Sequence, residues 1–350
     1  MLKSPVIHSA IHSAAAAVRR AISPLRRGNV ILMYHRITRT NVDPWALCVD
    51  PNNFSQQMEA LKRIATPIPL TELPDADPQH PSVAITFDDG YLDNLEIAHP
   101  ILRQHGIPAT IFVSTGYVDK PRGYWWDELE AIFLHPGVLP PHGLKLSLAG
   151  QNYNWEIDPA DLEYQDADCA THRAWIAWKQ SPPTSRHAVF CAVWSLLREA
   201  ETAQREDGIC RIRQWAGMSE RYTPARCMTS EELREVSRGA LLSVGAHAIS
   251  HSRLSRLSES TQWTEISESK SILERILGRP VYTFAYPFGD RSDYTDRTVE
   301  AVRAAGYRLA CSNFEGTVGP NSDRFQLPRL HVENRNANDF ATWLRSYLIW

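Results

Sequence analysis

Two adjacent carboxylates and a glycine, in Thr86-Phe87-Asp88-Asp89-Gly90, close an apolar run that begins at Ser82. Neighbouring side chains of an extended chain point to opposite faces, so both acids can serve one site only if the strand ends there and the backbone turns. Gly90 permits that turn. The same three residues are also an ordinary way to end a strand and open a loop, and they gain chemical meaning from a second pattern. His247 and His251 stand four apart in Gly245-Ala246-His247-Ala248-Ile249-Ser250-His251, directly after the apolar run Leu241 to Val244. One carboxylate and two imidazoles suit an open metal site, because a catalytic zinc keeps three protein ligands and leaves a position for water or substrate. Spacing alone does not decide this. The 13 histidines include another pair four apart, His8 and His12, in an alanine-rich stretch without a nearby acid, and that pair reads as helix surface. His247 and His251 differ in following a buried-type strand, whose end opens onto the catalytic face of an α/β fold.

Short apolar runs predict the strands that must carry these groups: Val30 to Tyr34, Val83 to Phe87, Ala109 to Val113, Leu241 to Ala246, Val281 to Ala285 and Tyr307 to Cys311. Helical patterns lie between some of them, at Phe54 to Ile64, Asn94 to His105, Trp263 to Leu277 and Thr298 to Ala305. The alternation predicts a parallel α/β architecture. Pro67 to Pro81 reads as a loop leading into the Asp88 strand.

From Tyr117 to Cys227 the rhythm breaks. This stretch holds seven of the eleven tryptophans, and between Lys145 and Arg173 it carries acids but no lysine or arginine. It reads as a largely helical insertion, residues 117–227, with a small apolar core of its own. Its tryptophans can stack on sugar rings or pack the insertion on the main body. Placed over one side of the site, it would restrict the substrate to a small or activated amino sugar; packed away from the site, it would serve stability or a partner.

The 350 residues are 43% hydrophobic and 22% charged, enough for one large core or two modest ones, which excludes a disordered or fibrous chain. A net charge of -3 gives no global attraction to nucleic acid, and no zinc finger or arginine-rich element stands out. Six scattered cysteines suit reduced thiols in a cytosolic enzyme better than a disulfide framework. No run of 18 apolar residues exists to span a membrane. Residues 1–28 form a basic amphipathic pattern, with apolar positions from Val6 to Leu25 and no acid before Asp43. A helix there can pack on the protein, meet a partner, or touch the inner face of the membrane peripherally.

With these residues in hand the chain, from about Asn29 to Leu348, resembles the polysaccharide deacetylase family, metal-dependent hydrolases that remove N-acyl groups from amino sugars. The likeness implies a distorted barrel with fewer than eight βα units, spanning residues 29–350 and interrupted by the insertion. It implies one divalent ion, zinc being the expectation, on Asp89, His247 and His251. It implies Asp88 as general base, the Phe288 backbone N–H as a donor to the carbonyl oxygen, and His331 as general acid. Opening motifs like Met33-Tyr34-His35-Arg36 occur in some branches and put His35 on substrate. The stretches Phe284 to Asp290 and Gly306 to Asn313 resemble bacterial exopolysaccharide and surface-glycan biosynthesis members, which adds Tyr286 and Asn313 as substrate contacts. The family's third motif begins with an arginine, but here it reads Ala285-Tyr286-Pro287-Phe288-Gly289. Arg329, in Leu327-Pro328-Arg329-Leu330-His331, is the candidate to replace it. The expected activity is removal of an acetyl or formyl group from an amino sugar, nucleotide-linked or lipid-linked or within a polymer. The rival is a carbohydrate-binding protein whose catalysis has weakened.

Overall fold

The computed structural model describes residues 29–77, 80–218 and 225–348, so the amphipathic segment expected over residues 1–28 lies outside the described residues. Seven parallel strands carry the molecule: β1 (Val30–Tyr34), β2 (Ser82–Phe87), β3 (Ala109–Val113), β4 (Leu242–Ala246), β5 (Thr283–Ala285), β6 (Leu309–Cys311) and β7 (Leu330–His331). Their order is β6-β5-β4-β3-β2-β1-β7, and the short strand Thr66–Pro67 adds to β2. The two edges come together. Cys311 bridges Leu327 in parallel, and three residues later β7 pairs Leu330 with Leu32. The segment from Leu327 to His331 thus touches β6 and then β1, curling the sheet into a distorted barrel with fewer than eight βα units.

Helices α1 (Pro51–Ile64) and α2 (His99–His105) precede β2 and β3. Between β3 and β4 come α3 (Trp125–Leu134), α4 (Asp166–His172), α5 (Ser185–Glu199), α6 (Thr202–Trp215) and α7 (Ser230–Val236). Then α8 (Glu259–Leu277) precedes β5, α9 (Asp296–Ala304) precedes β6, and α10 (Ala337–Leu348) follows β7 and packs on α1. The long helix α8 begins four residues before the expected Trp263, because its first turn is polar and shows no apolar period. Ser258 marks the start by accepting the Thr261 N–H, and Gly278 ends it in the left-handed conformation. The Asn94 to His105 pattern opens with a π-helical stretch, Asn94–Ala98, before α2.

Strand alternation sorts the core. On β1 and β2, Val30, Leu32, Tyr34, Val83, Ile85 and Phe87 face the surrounding helices in the main apolar cluster. Ile31 and Ala84 face inward, with Phe112, Ala285, Leu309 and Cys311. Gly245 belongs to the inward set, since a Cβ there would lie 2.6 Å from the Phe112 ring and 2.4 Å from Thr283 Oγ1. Leu70 and Leu73, from the proline-rich loop, join this inner cluster. The next inward position on β2 after Thr86 is Asp88, and on β4 after Gly245 it is His247. Alternation therefore delivers an acid and an imidazole to the same mouth of the barrel.

A separate apolar cluster fills the lobe between β3 and β4, around Trp125, Trp126, Phe133, Phe190 and Trp175. Two antiparallel strand pairs accompany its helices, Leu144–Leu148 with Gln151–Trp155 and Gly137–Val138 with Glu163–Tyr164. Buried Arg186 donates to the carbonyls of Ile132 and Phe133, oxygens that the end of α3 leaves without helical partners, and to that of Leu162. All six cysteines are free thiols, and no helix among the described residues is long and apolar enough to cross a membrane.

Candidate active site

At the end of β2 the backbone turns at Asp89, whose φ is 72°, and again at Gly90, whose φ is 69°. The left-handed residue is thus the second aspartate as well as the glycine, and this brings both carboxylates to one place. The lobe holds the turn: the Tyr124 hydroxyl donates to the Asp89 carbonyl at 2.7 Å. The loop after β4 is bent in the same manner, with φ of 60° at Ala248 and 52° at His251. Such conformations cost roughly 1–3 kcal/mol each in a non-glycine residue and persist only where surroundings impose them. Here Glu265 of α8 imposes them, accepting the N–H groups of Ile249 and Ser250 and the Ser250 hydroxyl.

Asp89, His247 and His251 are buried and offer ligand atoms that all lie within 4.8 Å of one another. Asp89 Oδ1 is 3.7 Å from His247 Nε2 and 3.3 Å from His251 Nε2. Ligands held ~2.1 Å from a tetrahedral ion stand roughly 3.4 Å apart, so the trio fits one divalent metal. Two further features agree. Asp89 Oδ1 has no hydrogen-bond partner despite its burial. His247 Nδ1 donates to the Ala285 carbonyl at 2.7 Å, which turns the lone pair of Nε2 toward Asp89. Burial keeps both imidazoles neutral, as ligands must be, while burial and the adjacent Asp88 push the Asp89 carboxyl up. A doubly charged ion reverses that last effect.

Asp88 sits beside this trio with a different partner. Arg329 Nη1 and Nη2 donate to its two oxygens at 2.7 Å each, and Nε donates to the Ser312 carbonyl. Burial alone would raise the Asp88 carboxyl, but the Arg329 guanidinium holds it well below the usual carboxylate range. The position where the family carries its arginine, Ala285, instead contributes the carbonyl that orients His247. The guanidinium arrives from the opposite edge of the sheet.

His331 ends β7 with its ring 5.8 Å from that of His35, in an edge-on contact. It is hydrogen-bonded to the backbone of Ala46, while Nε2 is buried and has no partner. Burial holds it down at about 4 and His35 at about 3. The Ala46 turn is itself built: its φ is 55°, and the Asp43 carboxylate accepts the N–H groups of Leu47 and Cys48. Phe288, at φ 60°, lies with its ring 4.7 Å from His251, and its N–H has no partner among the described residues.

Two expected substrate contacts are otherwise engaged. Tyr286 is buried in the core, stacked on Tyr294 with its hydroxyl donating to the Phe325 carbonyl, because its place after β5 points it to the helix side. Asn313 spends its amide on the Phe288 carbonyl at 2.9 Å, so it supports that loop. Tyr124, Glu265, Asp43 and Ala46 went unnoticed in the sequence. None belongs to a local pattern, and only the acid-rich and aromatic character of their neighbourhoods hinted at them.

A parallel barrel with an Asp-His-His trio and an arginine-bound aspartate at its mouth defines a class of metal-dependent hydrolases. The chain belongs to the polysaccharide deacetylase family, whose sequence profile matches residues 75–167 and 209–310, more than half of its length. The Bacillus subtilis protein YxkH, whose name places it among polysaccharide deacetylases, is 40% identical over 91 residues, covering 24% of this chain and 30% of YxkH. The solved structure of the Streptococcus pyogenes deacetylase PplD with acetate shares the fold, with a TM-score of 0.54 at 18% identity over 91% of this chain and 98% of PplD. IcaB from Ammonifex degensii does so with a TM-score of 0.52 at 17% identity, over 91% and 97% of the two chains.

Proposed function

We propose that this chain hydrolyses the N-acyl amide, acetyl or formyl, of an amino sugar in a glycan. The observation that carries the reading is the division of labour between two adjacent acids, one facing two histidines and the other clamped by Arg329. Imidazole and carboxylate ligands suit Zn2+, and such an ion, when bound, supplies an acidified water and polarises the acyl carbonyl. Asp88, kept ionised by Arg329, accepts the proton of the attacking water. The Phe288 N–H donates to the carbonyl oxygen as it gains charge. Asp88 is too weak a base to retain the proton, and the departing amine needs one of its own. His331, with Nδ1 held by Ala46, gives a proton to that amine from Nε2 when the ring is protonated, and it regains one from solvent as Asp88 returns the water's proton there. The rival reading, a carbohydrate-binding protein with weakened catalysis, drew on the missing arginine and on the altered motif around His331. The pairing of Arg329 with Asp88 speaks against the first of these grounds.

The test is release of acetate or formate from N-acylated glucosamine oligosaccharides by protein stripped with a chelator and reloaded with Zn2+. Asp88→Asn should keep its metal and lose about 100-fold or more in kcat. Alanine at Asp89, His247 or His251 should lose the metal, as read by elemental analysis. Acyl release that is absent with every divalent ion tried would refute the assignment.

A further inference from the structure

The two histidines of the metal trio are held differently. His247 has its second ring nitrogen bonded to the Ala285 carbonyl, whereas His251 Nδ1 is buried without a hydrogen-bond partner. The bearing of the His251 ring is therefore left to the rings around it and to the bent backbone from Ala248 to His251. The lobe supplies support of both kinds. Trp126 lies with its ring 4.7 Å from that of His251, and Tyr124 meets it edge-on at 5.8 Å. From α6, Arg205 reaches the loop itself: Nη2 donates to the Ser250 carbonyl and to Ser252 Oγ, each at 3.1 Å.

Arg205 is buried, with its guanidinium 5.8 Å from the Trp125 ring, and neither of these bonds goes to a carboxylate. Burying a guanidinium without a direct ion pair is costly. Burial accordingly lowers its pKa, and Glu265 is among the groups that offset the effect. Glu265 stands on the other side of the loop, and hydroxyls join the two charges. It accepts the Ser250 hydroxyl at 2.7 Å, Ser250 Oγ meets Ser252 Oγ at 2.8 Å, and Ser252 Oγ accepts from Arg205. Because the Ser250 hydrogen goes to Glu265, the Ser252 hydroxyl donates to Ser250 Oγ. Thr202, also of α6, lies 3.2 Å from Ser252 Oγ. Hydrogen bonds in such a chain, with a cation at one end and an anion at the other, polarise and strengthen one another. The ends belong to α6 of the lobe and α8 of the barrel, and the turn that presents His251 lies between them. We propose that Arg205 is a positioning residue for the metal centre, fixing His251 through the Ser250 and Ser252 turn, so that seating of the lobe on the barrel and occupancy by metal are coupled. Coupling of this kind is reciprocal: what the lobe does for the metal, the metal does for the lobe. The proposal rests on the metal-dependent reading above and is independent of which acyl group leaves.

Metal binding by the full chain, stripped with a chelator, tests this without recourse to turnover. Co2+ is the probe, since its visible bands follow the geometry of its ligands as well as its occupancy. Arg205→Met should weaken Co2+ affinity, read by calorimetry, about 10–100-fold, the scale of lost support behind a metal ligand. At saturating Co2+ its bands should differ from those of the wild type. Arg205→Lys still reaches the Ser250 carbonyl and should restore part of both. Ser252→Ala breaks the chain with a smaller loss of packing and should weaken Co2+ about tenfold, which keeps the test open where Arg205→Met fails to fold. In the other direction, Co2+ should slow hydrogen exchange of the α6 amides about tenfold in the wild type, and this slowing should be lost in Ser252→Ala. Unaltered affinity in both variants, bands at saturation identical to the wild type, or α6 exchange indifferent to Co2+ would overturn the proposal. Zn2+ is then restored: a wild-type protein that binds metal as expected, with the variants impaired, but releases no acyl group would refute the deacylase reading and leave the role of Arg205 standing.

Discussion

Arg329 and Asp88 are both almost wholly buried, and each is the other's only charged hydrogen-bond partner among the described residues. Breaking such a pair leaves an uncompensated charge, which costs about 3–5 kcal/mol. Arg329→Met should therefore lower stability on that scale, measured by denaturant unfolding. It should also move the acid limb of the rate profile to higher pH, because removing the cation lets burial raise the Asp88 carboxyl and protonate the base earlier. Arg329→Lys keeps the charge without the two-pronged geometry and should fall between. An acid limb that stays in place in Arg329→Met would reject the pairing as a determinant of the base.

At the scale of elements, the site is assembled from loops bent into left-handed backbone and braced from outside the barrel. Phe288 is braced by the lobe: Arg198 of α5 packs over its ring at 4.7 Å and donates to Asp293 at 2.9 Å, where Arg253 also donates. Asp293 Oδ2 in turn accepts the Asp290 N–H, so the ion pairs reach the loop that presents the Phe288 N–H. Arg198→Met should lower kcat roughly tenfold, the scale of a partly misplaced donor, with little change in KM. Arg198→Lys should restore part of it. A variant with unaltered kcat would show that the lobe contacts this loop without positioning it. Glu265 plays the corresponding part for His251, and Glu265→Ala should weaken metal affinity about 10–100-fold, by analogy with lost support behind other metal ligands. Metal titration monitored by calorimetry reads this directly.

Across the whole molecule, the apolar clusters of barrel and lobe enclose buried histidines, through which the fold responds to acid. His187 lies in the lobe away from the metal trio, bonded to the Thr184 hydroxyl and set edge-on to Trp175. Burial, then His172 and Arg186, lower its imidazole to about 4. The folded chain therefore binds fewer protons than the unfolded chain between about pH 4 and 6.5. Stability is complete above 6.5 and is lost as pH falls toward 4. In His187→Asn the fall in Tm between pH 7 and 4.5 should be shallower by a few degrees, on a scale of roughly 2–4 °C per kcal/mol. Equal slopes in the two proteins would remove His187 as a source of acid lability.

Much of this was legible in the chain itself. The β1 run, Val30–Tyr34, and the β3 run, Ala109–Val113, coincide with their strands, and the acids and histidines stand at strand ends as their neighbouring apolar runs required. These are local properties: side-chain period, a glycine that permits a turn, and residue types that bind metal. Arg329 was only a candidate, because 241 residues separate it from Asp88 and they meet only when β7 comes to lie beside β1. Tyr286 was misplaced for a related reason, since a motif records proximity in sequence but the strand's facing decides which side of the sheet receives the ring.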